Sequence, residues 1–284
     1  MEIQEIEQNS PYYPDEWRNL SDKPQTLFAV GNVELLKKRK FTVVGSRRTT
    51  KAALALGEEI AKELAETFTI VSGAAEGGDS AAILGALPSG NVICVLAGGF
   101  SSLPQSNLSL LKRVMEKGLV VSPHPYDTPV RNFSYSYRNK LLATLGEATL
   151  VLGAGEKSGA LLTAKYAQEL QKPVFALPYA PNSPIGAGCN AGCNALIKSG
   201  GYLTECAADV FERLGVEYTE HKIAIALTEA ETQTLCALKE LGEGHITEIS
   251  AKSGVPTFKA RAILSALQVK GLVVELGGNR FSIT

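Results

Sequence analysis

Nowhere in the 284 residues does an apolar run approach the roughly 18–20 residues that a membrane span needs. The opening stretch MEIQEIEQNS is acidic and polar, unlike a secretory leader, so a cytoplasmic protein without a membrane segment is expected. Net charge is also lacking: 28 Lys and Arg stand against 29 Asp and Glu, a balance of −1. Any attraction for nucleic acid must therefore rest on a local patch. The cysteines (Cys94, Cys189, Cys193, Cys206 and Cys236) are odd in number and scattered, which reads as reduced thiols. Cys189 and Cys193 arise from the local stutter GCNAGCNA and have no second pair to complete a zinc site. His124, His221 and His245 are not grouped with Cys or Asp at ligand or triad spacing. There is no Walker A sequence, no zincin helix and no nucleophile elbow. No catalytic residue, metal or cofactor is assigned, and the chain is expected not to be an enzyme.

What is present is a regular alternation. The β-branched runs FTVVG, FTIVSG, NVICVLAG, LVVSP, ATLVLG and PVFALP are separated by helical patterns such as AALALGEEIAKELAE and ALLTAKYAQELQK. Strands alternating with helices of this length predict an α/β fold, a Rossmann-like, doubly wound and mostly parallel sheet. Strand order is not readable. The expected organisation is an N-terminal segment packing on the core (1–40), the Rossmann-like core (41–214), a linker (215–227) and a small terminal domain (228–284). In the last, TEAE at Thr228–Glu231 fits a capping box. A second helix is expected from Thr247 to Ser253, and Ala260, Ile263, Leu264 and Leu267 form the stripe of a third. A hairpin turning at Gly277 and Gly278 then completes a winged helix-turn-helix pattern.

In a doubly wound sheet, ligands bind where loops converge at the carboxyl ends of the strands. After the first run comes VGSRRTT. Gly45 allows close backbone approach, Ser46 can cap or donate, and Arg47 and Arg48 precede a helix start. Cations beside the positive end of a helix are unfavourable unless an anion joins them. Lys37, Lys38, Arg39, Lys40, Arg47, Arg48 and Lys51 form a stretch with no acid, compatible with a solvated loop as well as with an anion site. Ser72 and Gly73 open the turn SGAAEGGDSAA, where Asp79 is expected to cap the next helix; a tight turn and a ligand contact are both open there. In FSYSYRNKLLATLG the spacing of Tyr137, Leu141 and Leu145 predicts that Arg138 and Lys140 fall in a first helical turn. Phe133, Tyr135 and Tyr137 supply flat faces, either as core or as stacking platforms for the bases of a single strand. GAGEKSGALLTA brings Ser158, Gly159 and Thr163 to another helix start.

The ordered series KPQTLFAVGN, VVGSRRTT, SGAAEGGD, VLAGG, FSYSYRNKLLATL, SGALLTA, KPVFALP and GCNALIKSGG resembles the DNA processing protein A (DprA/Smf) family over roughly residues 11–203, with 228–284 resembling its terminal winged helix. The resemblance implies a homodimeric, non-catalytic protein of bacterial natural transformation that binds incoming single-stranded DNA, protects it and loads the RecA recombinase onto it. It places the family's strand-binding arginine on Arg47 and its later arginine-asparagine motif on Arg138, Asn139 and Lys140, with Phe133 for base contact. The chain departs from the family pattern at Ile83, at Leu103-Pro104, in SPHPY and at the end of VLGAG, where an acid is missing.

In the terminal segment Lys239, Lys252, Lys259, Arg261, Lys270 and Arg280 are matched by Glu229, Glu231, Glu240, Glu243, Glu248 and Glu275. A duplex reader usually shows a basic face, so a protein contact is favoured over duplex readout. Two other classes stay open: a Rossmann-like nucleotide-processing enzyme of phosphoribohydrolase type, and a nucleotide-sensing transcriptional regulator.

Overall fold

The computed structural model describes residues 2–179, 187–218 and 227–283, with the backbone alone for 187–190. The chain forms two compact units, Met1–Glu220 and His221–Thr284. Most of the linker expected at 215–227 lies outside the described residues.

The first unit runs β1 (Gln4–Glu7), α1 (Asp15–Arg18), β2 (Thr26–Gly31), β3 (Lys40–Val44), α2 (Lys51–Leu64), β4 (Thr69–Ser72), α3 (Gly78–Ala86), β5 (Val92–Val95), α4 (Leu108–Lys117) and β6 (Leu119–Ser122). It continues with α5 (Asn132–Leu145), β7 (Thr149–Val151), α6 (Gly159–Glu169), β8 (Val174–Ala176), α7 (Ala187–Lys198), β9 (Tyr202–Leu203) and α8 (Ala207–Leu214). The strands form one sheet in the order β1-β2-β6-β5-β4-β3-β7-β8-β9. From β6 to β9 every neighbouring pair is parallel. The sequence order reverses at β3, which lies between β4 and β7, and that is the switch point where a doubly wound sheet opens a crevice.

The parallel strands are buried on both faces, which is why they read as continuous apolar runs. Alternation within β3 divides the core: Phe41 and Val43 face one layer with Ile60, Leu64 and Phe68, while Val44 faces the other with Leu141 and Leu145. Residues 1–40 do more than lie on this core. β2 pairs antiparallel with β6, and β1 pairs with β2, so the segment extends the sheet. Trp17 is fully buried, and its indole N–H donates to the Leu141 carbonyl at 3.0 Å.

The second unit comprises α9 (Glu229–Leu241), β10 (Glu243–His245), α10 (Ile246–Ser253), α11 (Thr257–Val269), β11 (Val273–Gly277) and β12 (Arg280–Ile283). Thr228 and Glu231 form the expected capping box. β10 adds a third strand to the hairpin, in the order β10-β12-β11. Leu235, Leu238, Ile249, Leu264, Leu267 and Phe281 pack into a separate core. Among the described residues no helix is long and apolar enough to cross a membrane.

Candidate nucleic-acid interface

Three backbone segments meet at the switch point. The Ser46 N–H donates to the Gly153 carbonyl after β7 at 2.7 Å, and the Gly78 N–H at the start of α3 donates to the Ser46 carbonyl at 3.2 Å. This approach requires glycine. A Cβ on Gly45 would lie 2.8 Å from the Gly78 Cα, and Gly77 combines a φ of +80° with backbone contact to Ser46 and Arg47. The result is a crevice of about 420 Å³ lined by Gly45, Ser46, Arg47, Arg48, Ala75, Asp79, Tyr135, Arg138, Asn139, Ser158, Gly159 and Thr163. A second cavity of about 330 Å³ shares Arg47, Ala75, Tyr135 and Arg138 with it and reaches Leu96, Ala97 and Gly98 after β5. The two adjoin across the carboxyl ends of β5, β4, β3 and β7.

Arg47 and Arg48 are exposed, and among the described residues neither has a carboxylate partner. They stand just before α2, whose first turn is capped by the Thr50 hydroxyl accepting from the Ala53 N–H at 3.3 Å. Across the crevice, Ser158 caps α6 by accepting from the Ala160 N–H at 3.3 Å, and the Asn139 side-chain amide donates to the Gly159 carbonyl at 3.1 Å. Arg138 is a different kind of cation. It is 6% exposed, its Nη1 donates to the Gly73 carbonyl, and it lies 3.8 Å from Asp79 Oδ2. Asp79 Oδ1 accepts from the Gly45 N–H at 3.1 Å and Oδ2 from the Ala75 N–H at 3.3 Å. Burial pushes the Asp79 carboxyl above its ordinary value, and Arg138 and the backbone donors oppose that rise. Among the described residues, Arg138 Nε and Thr163 Oγ1 find no hydrogen-bond partner though buried, each at a cost of about 1–3 kcal/mol.

Several sequence expectations are corrected by this geometry. Helix α5 begins at Asn132, so Arg138 lies in its second turn and Lys140 beyond it, and neither sits at the helix's positive end. The early start is set by Ser134, whose hydroxyl accepts from the Arg131 N–H at 3.1 Å. Lys140 is not in the crevice. It pairs with Asp22 at 2.6 Å and lines, with Phe133, Tyr137 and Tyr166, a separate cavity of about 730 Å³ between α5 and α6. Phe133 is 65% exposed there. Ser72 is fully buried, its hydroxyl donating to the Val43 carbonyl at 2.8 Å, so it faces the sheet interior. Gly73 lines the adjoining cavity. Asp79 does not cap α3, because Gly77 is the cap residue and Asp79 lies in the first turn.

The basic stretch is likewise divided by β3. Lys37 faces Glu34 at 3.3 Å, Arg39 pairs with Glu147 at 2.9 Å, and Lys40 is buried against Glu16 at 2.8 Å. Only Arg47, Arg48 and Lys51 follow the strand's carboxyl end. Tyr135, which the sequence leaves open as core or stacking platform, lines both adjoining cavities and is 43% exposed. Its signal was the alternation of aromatics with cations in FSYSYRNK.

The family model for DNA recombination-mediator protein A matches residues 4–215. The DNA processing protein DprA of Bacillus subtilis is 34% identical over 225 residues, 77% of this chain and 74% of the relative. The X-ray structure of DNA processing protein A from Streptococcus pneumoniae superposes with a TM-score of 0.69 at 31% identity, covering 78% of this chain and 76% of that one. The structure of the Helicobacter pylori protein, described for its single-stranded DNA binding mode, gives 0.68 at 28% identity, over 77% and 98%. With its switch-point crevice, its sheet and its glycine-serine-arginine loop in one continuous match, this chain belongs to the DNA recombination-mediator protein A family.

Proposed function

We propose that this chain binds single-stranded DNA along the crevice, without catalytic turnover. The observation that carries the reading is the pair of exposed, unpaired arginines, Arg47 and Arg48, at the mouth of a switch-point crevice with Tyr135 on its wall. Arginines supply sequence-independent phosphate contacts, and an aromatic face accepts any base. The Helicobacter pylori relative's single-stranded DNA binding supports the same direction. Gly45, Ser46, Asn139, Ser158, Gly159 and Thr163 shape the site, and Gly73 holds Arg138. The resemblance to the family extends the reading to a cytoplasmic homodimer of natural transformation that protects incoming DNA and loads RecA.

The second unit serves this function as a winged helix that contacts protein and does not read duplex. Four of its cations are engaged internally: Lys252 with Glu240 at 2.9 Å, Lys270 with Glu231 at 2.7 Å, Arg280 with Glu243 at 3.0 Å and Arg261 with Glu275 at 3.8 Å. Phe258 and Val269 of α11 are 79% and 90% exposed.

The test is a titration of labelled oligo-thymidylate at several salt concentrations. Two phosphate contacts give a slope of log K against log salt near −1.4, at about −0.7 per contact on a single strand. Arg47→Ala should weaken binding and flatten the slope by about 0.7. A slope unchanged by that substitution would remove Arg47 from the interface.

A further inference from the structure

The floor of the crevice carries a negative charge that an anion-binding site does not obviously need. Asp79 is 4% exposed, and among the described residues its partners are donors or cations: the N–H groups of Gly45 and Ala75, and the Arg138 guanidinium. A protonated acid would need an acceptor for its proton, and none of these partners is one, so the surroundings match the ionised carboxylate. Arg138 is engaged in turn by Asp79 and by the Gly73 carbonyl. The buried part of the crevice therefore holds one positive and one negative charge and is neutral overall. The uncompensated cations are Arg47 and Arg48 at the exposed rim, where water and salt screen them.

This distribution treats two kinds of phosphate differently. The phosphodiester inside a strand carries a single charge. A phosphate monoester carries about −1.5 to −2 near neutrality. Its second charge adds to the cost of leaving water, and the floor's buried cation, already neutralised by Asp79, offers nothing to offset that cost. We propose that Asp79 is a specificity-determining residue that makes the crevice select the singly charged phosphodiester of a strand interior over the doubly charged phosphate monoester. The selectivity acts by penalising the wrong ligand, the second of the two routes to specificity. It rests on the strand-binding reading above and defines which phosphate chemistry that site accepts.

The full chain is loaded with labelled oligo-thymidylate at low salt and mildly alkaline pH, where the monoester is dianionic. Thymidine 5′-monophosphate and its methyl ester, which share one base and sugar, then compete for the site. In the wild type the methyl ester should displace the oligonucleotide at a concentration lower by about fivefold or more. Asp79→Asn should strengthen the monoester more than the diester and bring the two within about twofold. A purely structural Asp79 would weaken both competitors together and leave their ratio untouched, and that result overturns the assignment. So does a wild type in which the monoester competes as well as its ester, or in which neither competes. Should Asp79→Asn fail to melt cooperatively, the wild-type ratio alone decides. A wild type that does not bind the oligonucleotide removes the strand-binding reading itself, whereas binding without the preference removes only the selectivity.

Discussion

Gly73 is the position where a side chain would collide with the buried Arg138–Asp79 pair. A Cβ there would fall on the Arg138 guanidinium and lie 2.7 Å from Asp79 Oδ2, so alanine must push Arg138 off the Gly73 carbonyl and away from its carboxylate. Overpacking of this kind costs about 1–3 kcal/mol, and a disturbed buried pair adds to it. Gly73→Ala is therefore expected to lower the melting temperature and weaken oligonucleotide binding. It should leave the salt slope as it is, because Arg47 and Arg48, the screened rim cations, are not moved. Calorimetry and the salt titration separate the two effects. The contrast with Arg47 is the point at this scale: one arginine acts through an internal partner, the other through its lack of one.

At the scale of the elements, position relative to the strand ends decides which cations can serve a ligand. β3 places Arg47 and Arg48 at the carboxyl end of the sheet and leaves Arg39 and Lys40 at the opposite end, where Glu147 and Glu16 take them. Nothing in the run from Lys37 to Lys51 marks that division except the strand itself. The strands were legible because burial on both faces writes an unbroken apolar run, and the Gly45, Gly77 and Gly78 turn because close backbone approach leaves no room for Cβ. The strand order was not, since pairing between β3 and β7 joins residues about a hundred positions apart with no local signature. The start of α5 was misplaced because its cap is a Ser134 hydroxyl inside an aromatic stretch, which shifts Arg138 and Lys140 by a turn. That shift separates two residues that spacing had joined: Arg138 points to the crevice and Lys140 to Asp22. Lys140→Ala should accordingly change stability by less than about 0.5 kcal/mol, as for other exposed pairs, and leave the oligonucleotide salt slope at the wild-type value. A loss of slope equal to that of Arg47→Ala would show that the strand also runs over the α5–α6 cavity.

For the whole molecule, the two units are held by separate cores. Phe41, Phe68 and Phe175 anchor one layer of the first, with the Phe41 ring 5.6 Å from Phe68 and 6.0 Å from Phe175. The second depends on Leu238, Leu264, Leu267 and Phe281, every one nearly fully buried. Cores that share no residues can melt independently, so a single unfolding free energy is not expected to describe this chain. Leu264 is 0% exposed at the centre of the smaller core, and its truncation to alanine costs about 2–5 kcal/mol there. Small units are marginal to begin with, and a loss of that size is comparable to the whole stability of a domain of this length. Calorimetry on Leu264→Ala should show one transition moved down or abolished and the other unchanged, with oligo-thymidylate still bound at the wild-type salt slope. If both transitions move together, or the strand affinity falls with the smaller core, the second unit takes part in holding the strand and its assignment as a protein-contacting module fails.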